Sequence, residues 1–194
     1  KRINHISEYG NTLYLSTPFA IVEYNIENLE FGDTFFIGNG STSLNINETL
    51  INGDKIYAAT EDGIFTADVT SNLLIDYNNW QQQFSSRNFS HIISFNNNIY
   101  ITENSNLFEL NNNVLTLVRN FFEPIVNLNS STLNLTVTLG KTIIVLDASE
   151  NQTVEFNTVL DFDFTATNAF FDNNTMYIGT KEFGILKTTS ASSN

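Results

Sequence analysis

The chain has 194 residues, 41% of them hydrophobic and 13% aromatic, which is enough apolar material for one globular domain with a buried core. Its 21 acids against 8 bases leave a formal charge of -13, and no cluster of Lys or Arg is present to neutralise phosphates. Both facts argue against nucleic acid and anionic lipid as partners. No apolar run approaches the roughly 18 residues of a membrane span, so no membrane insertion is expected.

The start, Lys1-Arg2-Ile3-Asn4, has two bases but no apolar stretch behind them, and reads as the cut end of a longer protein rather than a signal peptide. Absence of cysteine rules out disulfides, thiol nucleophiles and Cys-ligated metals. Seventeen Phe, seven Tyr and many Ile, Val and Thr favour strands, because such side chains pack well on a pleated surface.

Along the chain one pattern recurs: apolar-Tyr-apolar, a Thr, a short turn, then an apolar pair. Its first copies are Leu13-Tyr14-Leu15-Ser16-Thr17 with Ile21-Val22, and Ile56-Tyr57-Ala58-Ala59-Thr60 with Ile64-Phe65. The third is Ile99-Tyr100-Ile101-Thr102 with Leu107-Phe108. The fourth puts Thr136 in place of Tyr, in Leu135-Thr136-Val137-Thr138 with Ile143-Ile144, and the fifth is Met176-Tyr177-Ile178-Gly179-Thr180 with Ile185-Leu186. The central residues 14, 57, 100, 136 and 177 are 43, 43, 36 and 41 apart, the length of one four-stranded propeller blade.

Around each copy the apolar residues alternate with period 2, and turn-formers such as Gly10-Asn11, Gly53-Asp54, Asn96-Asn97-Asn98 and Asn173-Asn174 separate the strands. A first strand is expected upstream of each Tyr strand (Ile3 to Ile6, Leu44 to Leu50, Phe89 to Phe95, Ile125 to Leu128) and a fourth downstream, as at Phe31 to Ile37 and Leu115 to Phe122. The expected fold is all-β: a β-propeller region over 1–194 with blades near 3–43, 44–88, 89–124, 125–159 and 160–194, the last lacking its fourth strand. Such an array exposes strand edges and blade faces unless it closes or is completed by other blades or domains of a parent protein, and completion by the parent is the favoured expectation.

The pattern Ile56-Tyr57-Ala58-Ala59-Thr60-Glu61-Asp62-Gly63-Ile64-Phe65 resembles the two-component-regulator type of propeller repeat. More specifically, Leu13 to Asn25, Asp33 to Gly38, Ile56 to Asp68 and Tyr77-Asn78-Asn79-Trp80 resemble the N-terminal propeller of the PorZ family, accessory proteins of the bacterial type IX secretion system. The resemblance implies a cell-surface, outer-membrane-associated or periplasmic protein. Its implied partners are secretion-complex proteins, with surface polysaccharide a further candidate. It implies equally, as the alternative, a periplasmic glycan-sensing propeller of a hybrid two-component regulator.

Nine residues before each central residue stand His5, Glu48, His91, Asn127 and Asn168, all polar and all at the start of a first strand, the one that lines a propeller's channel. They predict a ring of polar groups suited to a polar ligand, against the simpler reading that they are solvated channel groups. A zinc ion shared by His5 and His91, two blades apart, is rejected because its ligand bonds are about 2.0–2.1 Å. Tyr77, Trp80 and Phe84, in the longest connection, 70–88, are either a sugar-stacking platform (Tyr77, Trp80) or a plug between blades.

The pair Asp161 and Asp163 would share a strand face, where two carboxylates could bind calcium or act as an acid/base pair but more often simply solvate the strand, and Glu61-Asp62 reads as turn chemistry. The Asn-x-Ser/Thr sequons at Asn39, Asn47, Asn88, Asn134 and Asn151 are no more than an Asn-rich chain produces by chance. With two His, no Cys, no phosphate loop, no nucleophile elbow and no metalloprotease motif, no catalytic residue, metal or cofactor is expected, and the chain reads as a binding module.

Overall fold

A computed structural model describes residues 2–157 and 163–189. The fold is an all-β propeller of five blades, and the only helix among the described residues is one 3-10 turn, Tyr77–Asn79. The first blade is β1 (His5–Tyr9), β2 (Thr12–Ser16), β3 (Ile21–Asn25) and β4 (Glu30–Phe35). The second is β5 (Ile46–Asn52), β6 (Lys55–Thr60), β7 (Gly63–Asp68) and β8 (Gln81–Gln83). The third runs from β9 (His91–Phe95) through β10 (Asn98–Glu103) and β11 (Asn106–Asn111) to β12 (Val114–Asn120), and the fourth from β13 (Asn127–Ser130) through β14 (Leu135–Thr138) and β15 (Thr142–Leu146) to β16 (Gln152–Asn157). The fifth has three strands among the described residues, β17 (Ala166–Asp172), β18 (Thr175–Thr180) and β19 (Gly184–Thr189). Every sheet is an antiparallel meander with its strands in chain order.

Local chemistry accounts for the hairpins. Asn96-Asn97, Asn112-Asn113 and Asn173-Asn174 all adopt φ between 46° and 65°, the left-handed pair that a two-residue turn needs to match strand twist. The motif threonine closes the turn after the second strand: Thr17 Oγ1 donates to the Ala20 carbonyl at 2.7 Å, and Thr60 and Thr180 do the same to Gly63 and Gly184. In the fourth blade Leu139 stands at this position, and only the backbone bond from its N–H to the Thr142 carbonyl remains.

Two observations depart from expectation. First strands begin about two residues later than the apolar pattern places them, because the preceding apolar residues are held by single backbone bonds, Leu44 to the Phe19 carbonyl, Phe89 to Thr60 and Ile125 to Asn104, rather than by a strand ladder. The connection 70–88 also contains a strand, Gln81–Gln83, whose three amides show no apolar alternation; it is held by pairing with Ile64, Phe65 and Thr66.

The chain divides into two compact units, Lys1–Ile92 and Ile93–Asn194. In the first, Tyr14, Ile21, Phe35 and Ile37 of the first blade pack on Ile56, Ala58, Phe65 and Ala67 of the second. In the second, Tyr100 and Leu107 pack on Leu135, Val137 and Ile144, while Ile143 and Val145 pack on Met176 and Ile178.

Candidate functional site

Strand register places the candidate residues at one equivalent position. His5 pairs with Ser16, Glu48 with Ala59, Asn127 with Thr138 and Asn168 with Gly179, in each case two residues beyond the central Tyr or Thr. His91 opens β9 in the same way.

Three of them meet within the first unit. One Glu48 carboxyl oxygen, Oε1, lies 3.1 Å from His5 Nε2, and the other, Oε2, lies 3.2 Å from His91 Nδ1 and accepts the Ile92 N–H at 3.1 Å. Glu48 is only 8% exposed, and the two imidazoles are half-buried. Glu48 is therefore not a solvated channel group: a buried carboxyl must have its lone pairs met inside the protein, and here three donors from neighbouring blades meet them. It also changes the relation of the two histidines. They are joined through the two oxygens of one carboxyl group. Among the described residues no group of three or more His, Cys, Asp or Glu is arranged to hold a metal ion. His5 Nδ1 is buried without a hydrogen-bond partner among the described residues.

Asn127 and Asn168 belong to a separate cluster in the second unit. There Asn129 donates its amide to Asn127 Oδ1 at 2.9 Å, to Asn168 Oδ1 at 2.8 Å and to the Ala169 carbonyl at 2.8 Å. The first unit repeats this device. Asn4 donates to Asn45 Oδ1 and the Ile46 carbonyl, and Asn47 to Asn88 Oδ1 at 3.0 Å and the Phe89 carbonyl at 2.8 Å. A β-bulge between Ile46 and Glu48 leaves Asn47 unpaired and free to reach the next blade. These carboxamide clamps, each spanning about one repeat, escaped the sequence reading; the spacing of 41 between Asn4 and Asn45 and between Asn47 and Asn88 is the signal that could have found them.

Of the aromatic cluster, Trp80 is core: it is 6% exposed, packs with Tyr14, Phe35 and Phe65, and donates Nε1–H to the Leu74 carbonyl at 2.9 Å. Tyr77 is half-buried and lines, with Asn39, Asn78 and Gln82, a depression of about 230 Å³ floored by Ile37, Phe65 and Trp80. Phe84 packs edge-on against Phe89. Asp163 forms an ion pair with Lys141, and Asp161 lies outside the described residues. Glu61 and Asp62 sit in the turn between β6 and β7, and their carboxyls tie it to other segments: Asp62 accepts from Gln82 and from the Ser86 N–H, and Glu61 from the Asn45 N–H.

A cleft of about 210 Å³ that sequence reasoning missed contains Glu23 and Asp33 with Ser71 and Asn72. Burial pushes the Glu23 carboxyl above the usual range and the Asp33 charge adds to this, against the lowering effect of the Asp33 backbone N–H.

Residues 1–81 match the family model of the PorZ N-terminal β-propeller domain of the type IX secretion system. Among solved structures, PorZ of Porphyromonas gingivalis, described as an essential bacterial surface component of that system, superposes with a TM-score of 0.74 at 15% identity, over 98% of this chain and 25% of that one. The extracellular domain of the BT4673 hybrid two-component system from B. thetaiotaomicron gives a TM-score of 0.71 at 15% identity, over 95% of this chain and 27% of that one. That of the BT3049 system from the same organism gives 0.67 at 18%, over 94% and 26%. At these identities the likeness is one of fold, and the chain spans about a quarter of the length of these structures. No curated protein matches by sequence. No described helix is long and apolar enough to cross a membrane.

Proposed function

We propose that the chain is a non-catalytic binding module of a PorZ-like exported bacterial surface protein. In this reading it serves as a scaffold for secretion-complex proteins and contacts surface polysaccharide through first-strand polar groups. The match of residues 1–81 to the PorZ propeller carries this reading. It is supported by the placement of His5, Glu48, His91, Asn127 and Asn168 at one register position, since equivalent positions of successive blades offer polar groups to the same kind of ligand. Half-buried Tyr77 with its three neighbouring amides is the second candidate contact.

The test is surface plasmon resonance of the purified chain against purified bacterial surface polysaccharide. Saturable binding is expected to weaken at least about tenfold in His5→Ala or Asn168→Ala; the exposed Asn168 can be replaced with melting little changed, whereas His5→Ala also lowers the melting temperature because it leaves one oxygen of the buried Glu48 carboxyl without its partner. Absence of binding, or binding indifferent to both substitutions, would sink the polysaccharide contact.

A sensor reading, a glycan-sensing propeller of a hybrid regulator, is favoured by the fold shared with the two B. thetaiotaomicron domains. A transmembrane segment and a kinase-like region downstream in the gene would decide for it.

A further inference from the structure

The fold gives no reason for the composition of β8. Gln81–Gln83 is held to β7 by strand pairing, and the side chains of Gln81 and Gln82 are exposed. Gln82 instead lines the depression of about 230 Å³ whose rim also holds Asn39, Tyr77 and Asn78. Every wall of this depression lies between residues 37 and 82, inside the first two blades and away from both ends of the chain. It also borders the longest connection, 70–88, and long connections on a rigid scaffold are where binding groups concentrate.

Two of the rim amides are oriented by chemistry. Gln82 Nε2 donates to the Asp62 carbonyl at 2.7 Å and to the Asp62 carboxylate at 3.0 Å, and Asn78 Nδ2 donates to the Asp76 carboxylate at 2.8 Å. A carboxylate only accepts, so the nitrogen of each amide must face it, and the carbonyl oxygens Gln82 Oε1 and Asn78 Oδ1 are left to accept from an incoming donor. The turn that carries Asn78 is itself held, by the Asn78 N–H on Asp76 and the Trp80 N–H on the Tyr77 carbonyl, each at 3.0 Å. Beneath the rim, buried Ile37, Phe65 and Trp80 form an apolar floor, and the bond from the indole to the Leu74 carbonyl fixes it in place. No Lys, Arg, Asp or Glu lines the depression, and the charges that hold its rim amides, Asp62 and Asp76, are both negative.

We propose that this depression is a subsite for a single neutral pyranose ring, with Gln82 and Asn78 accepting from its hydroxyls and its C–H face resting on the apolar floor. An apolar base with a few convergent polar groups is the usual make-up of a small-ligand site, and sugars offer both an apolar face and hydroxyl donors. The volume lies below the roughly 300–1,000 Å³ of pockets that hold drug-sized ligands, which limits the site to one ring. Uronates and phosphorylated sugars are disfavoured, because their charge would meet carbonyl oxygens backed by two carboxylates. The proposal names the sugar class for the polysaccharide contact and rests on that reading.

Trp80 is the sole tryptophan, so its indole N–H gives one identifiable signal from the floor of the site. The experiment titrates the ¹⁵N-labelled full chain with the methyl glycosides of glucose, galactose and mannose, and with glucuronate. The Trp80 signal is expected to move saturably with at least one neutral glycoside, with a Kd on the order of 1–10 mM for a ligand of this size, and not with glucuronate. Gln82→Ala and Asn39→Ala are each expected to weaken that binding at least about fivefold. Asn39 is exposed, so Asn39→Ala keeps the wild-type melting even if Gln82→Ala, which loses the bonds to Asp62, does not. A Trp80 signal unmoved by all three glycosides, an equal response to glucuronate, or binding indifferent to both substitutions overturns the proposal. The polysaccharide contact fails separately. Saturable glycoside binding at Trp80 without binding of the purified polysaccharide in surface plasmon resonance would keep the subsite and sink the contact, whereas polysaccharide binding that leaves the Trp80 signal still would keep the contact and overturn the subsite.

Discussion

Replacing Glu48 by Ala removes the acceptor that holds His5, His91 and the Ile92 N–H. Ile92 is 2% exposed, so water does not readily replace the lost partner, and an unsatisfied buried N–H costs about 1–3 kcal/mol. The two imidazoles are partly solvated and can be rehydrated, which limits their share to about 0.5 kcal/mol each. Together these make about 3 kcal/mol, or roughly 6–12 °C in melting temperature for a chain of this size. Glu48→Gln keeps one carbonyl acceptor and should cost about 1 kcal/mol. Trp80, the sole tryptophan, lies in the same unit and reports on its unfolding in urea. A double-mutant cycle with His91→Ala isolates the direct contact, with a coupling energy of about 0.5 kcal/mol expected. If Glu48→Ala lowered stability by less than about 1 kcal/mol, the carboxyl would be a solvated group after all and the argument from burial would fail.

Other substitutions probe single devices of the fold. Gly63 has φ of 97°, and a Cβ there would collide with the Gln83 carbonyl, so Gly63→Ala should detach β8 from β7 at a cost of about 2–4 kcal/mol, visible as lost amide protection at Gln81–Gln83. Thr136 is fully buried with no partner for its hydroxyl among the described residues, so Thr136→Val should stabilise by up to about 1 kcal/mol in a denaturant melt; a loss of that size would reveal a missed partner. Asn47→Ala removes the clamp on Asn88 and Phe89 and should cost about 1–2 kcal/mol, read by the same melt. The Tyr14 hydroxyl is pushed up to about 12, by burial first and then by the Glu23 and Tyr9 charges. Its stabilising effect is complete below pH 10 and is lost as pH rises towards 12, because the unfolded chain ionises first. Alkaline unfolding should therefore move to higher pH in Tyr14→Phe, and an unmoved transition would refute the role given to burial.

The blades were legible because the same chemistry recurs at nearly fixed spacing: a Tyr at the centre of the second strand, an apolar pair seven or eight residues on, and Asn or Gly between. What escaped was whatever lacked period or depended on a neighbouring blade. Gln81–Gln83 carries no alternation and is a strand only because β7 offers it a partner, which a local pattern cannot reveal. Trp80 could be read as platform or plug, and only the packing of Tyr14, Phe35 and Phe65 around it decides for the plug.

The polar positions show the same division more sharply. Counting nine back from each central residue found four side chains that share one register position, and a fifth, His91, that opens the corresponding strand, because register is set by strand pairing and pairing by the apolar pattern. Counting gave no indication that Glu48 would be buried while its equivalents differ. That follows from its flanking blades, each of which places an imidazole at the same position and so supplies the donors that make burial of a carboxyl tolerable. In the second unit the equivalents are Asn127 and Asn168, with Asn129 between them, and neutral carboxamides satisfy one another there without any charge. The five positions are thus one location by topology and two environments by chemistry. An anion or metal that would bind through imidazole finds those groups engaged in the first unit, whereas in the second Asn168, although its Oδ1 accepts from Asn129, lies exposed to solvent. That contrast favours Asn168 over Glu48 as the informative substitution for binding, and Glu48 as the informative one for folding.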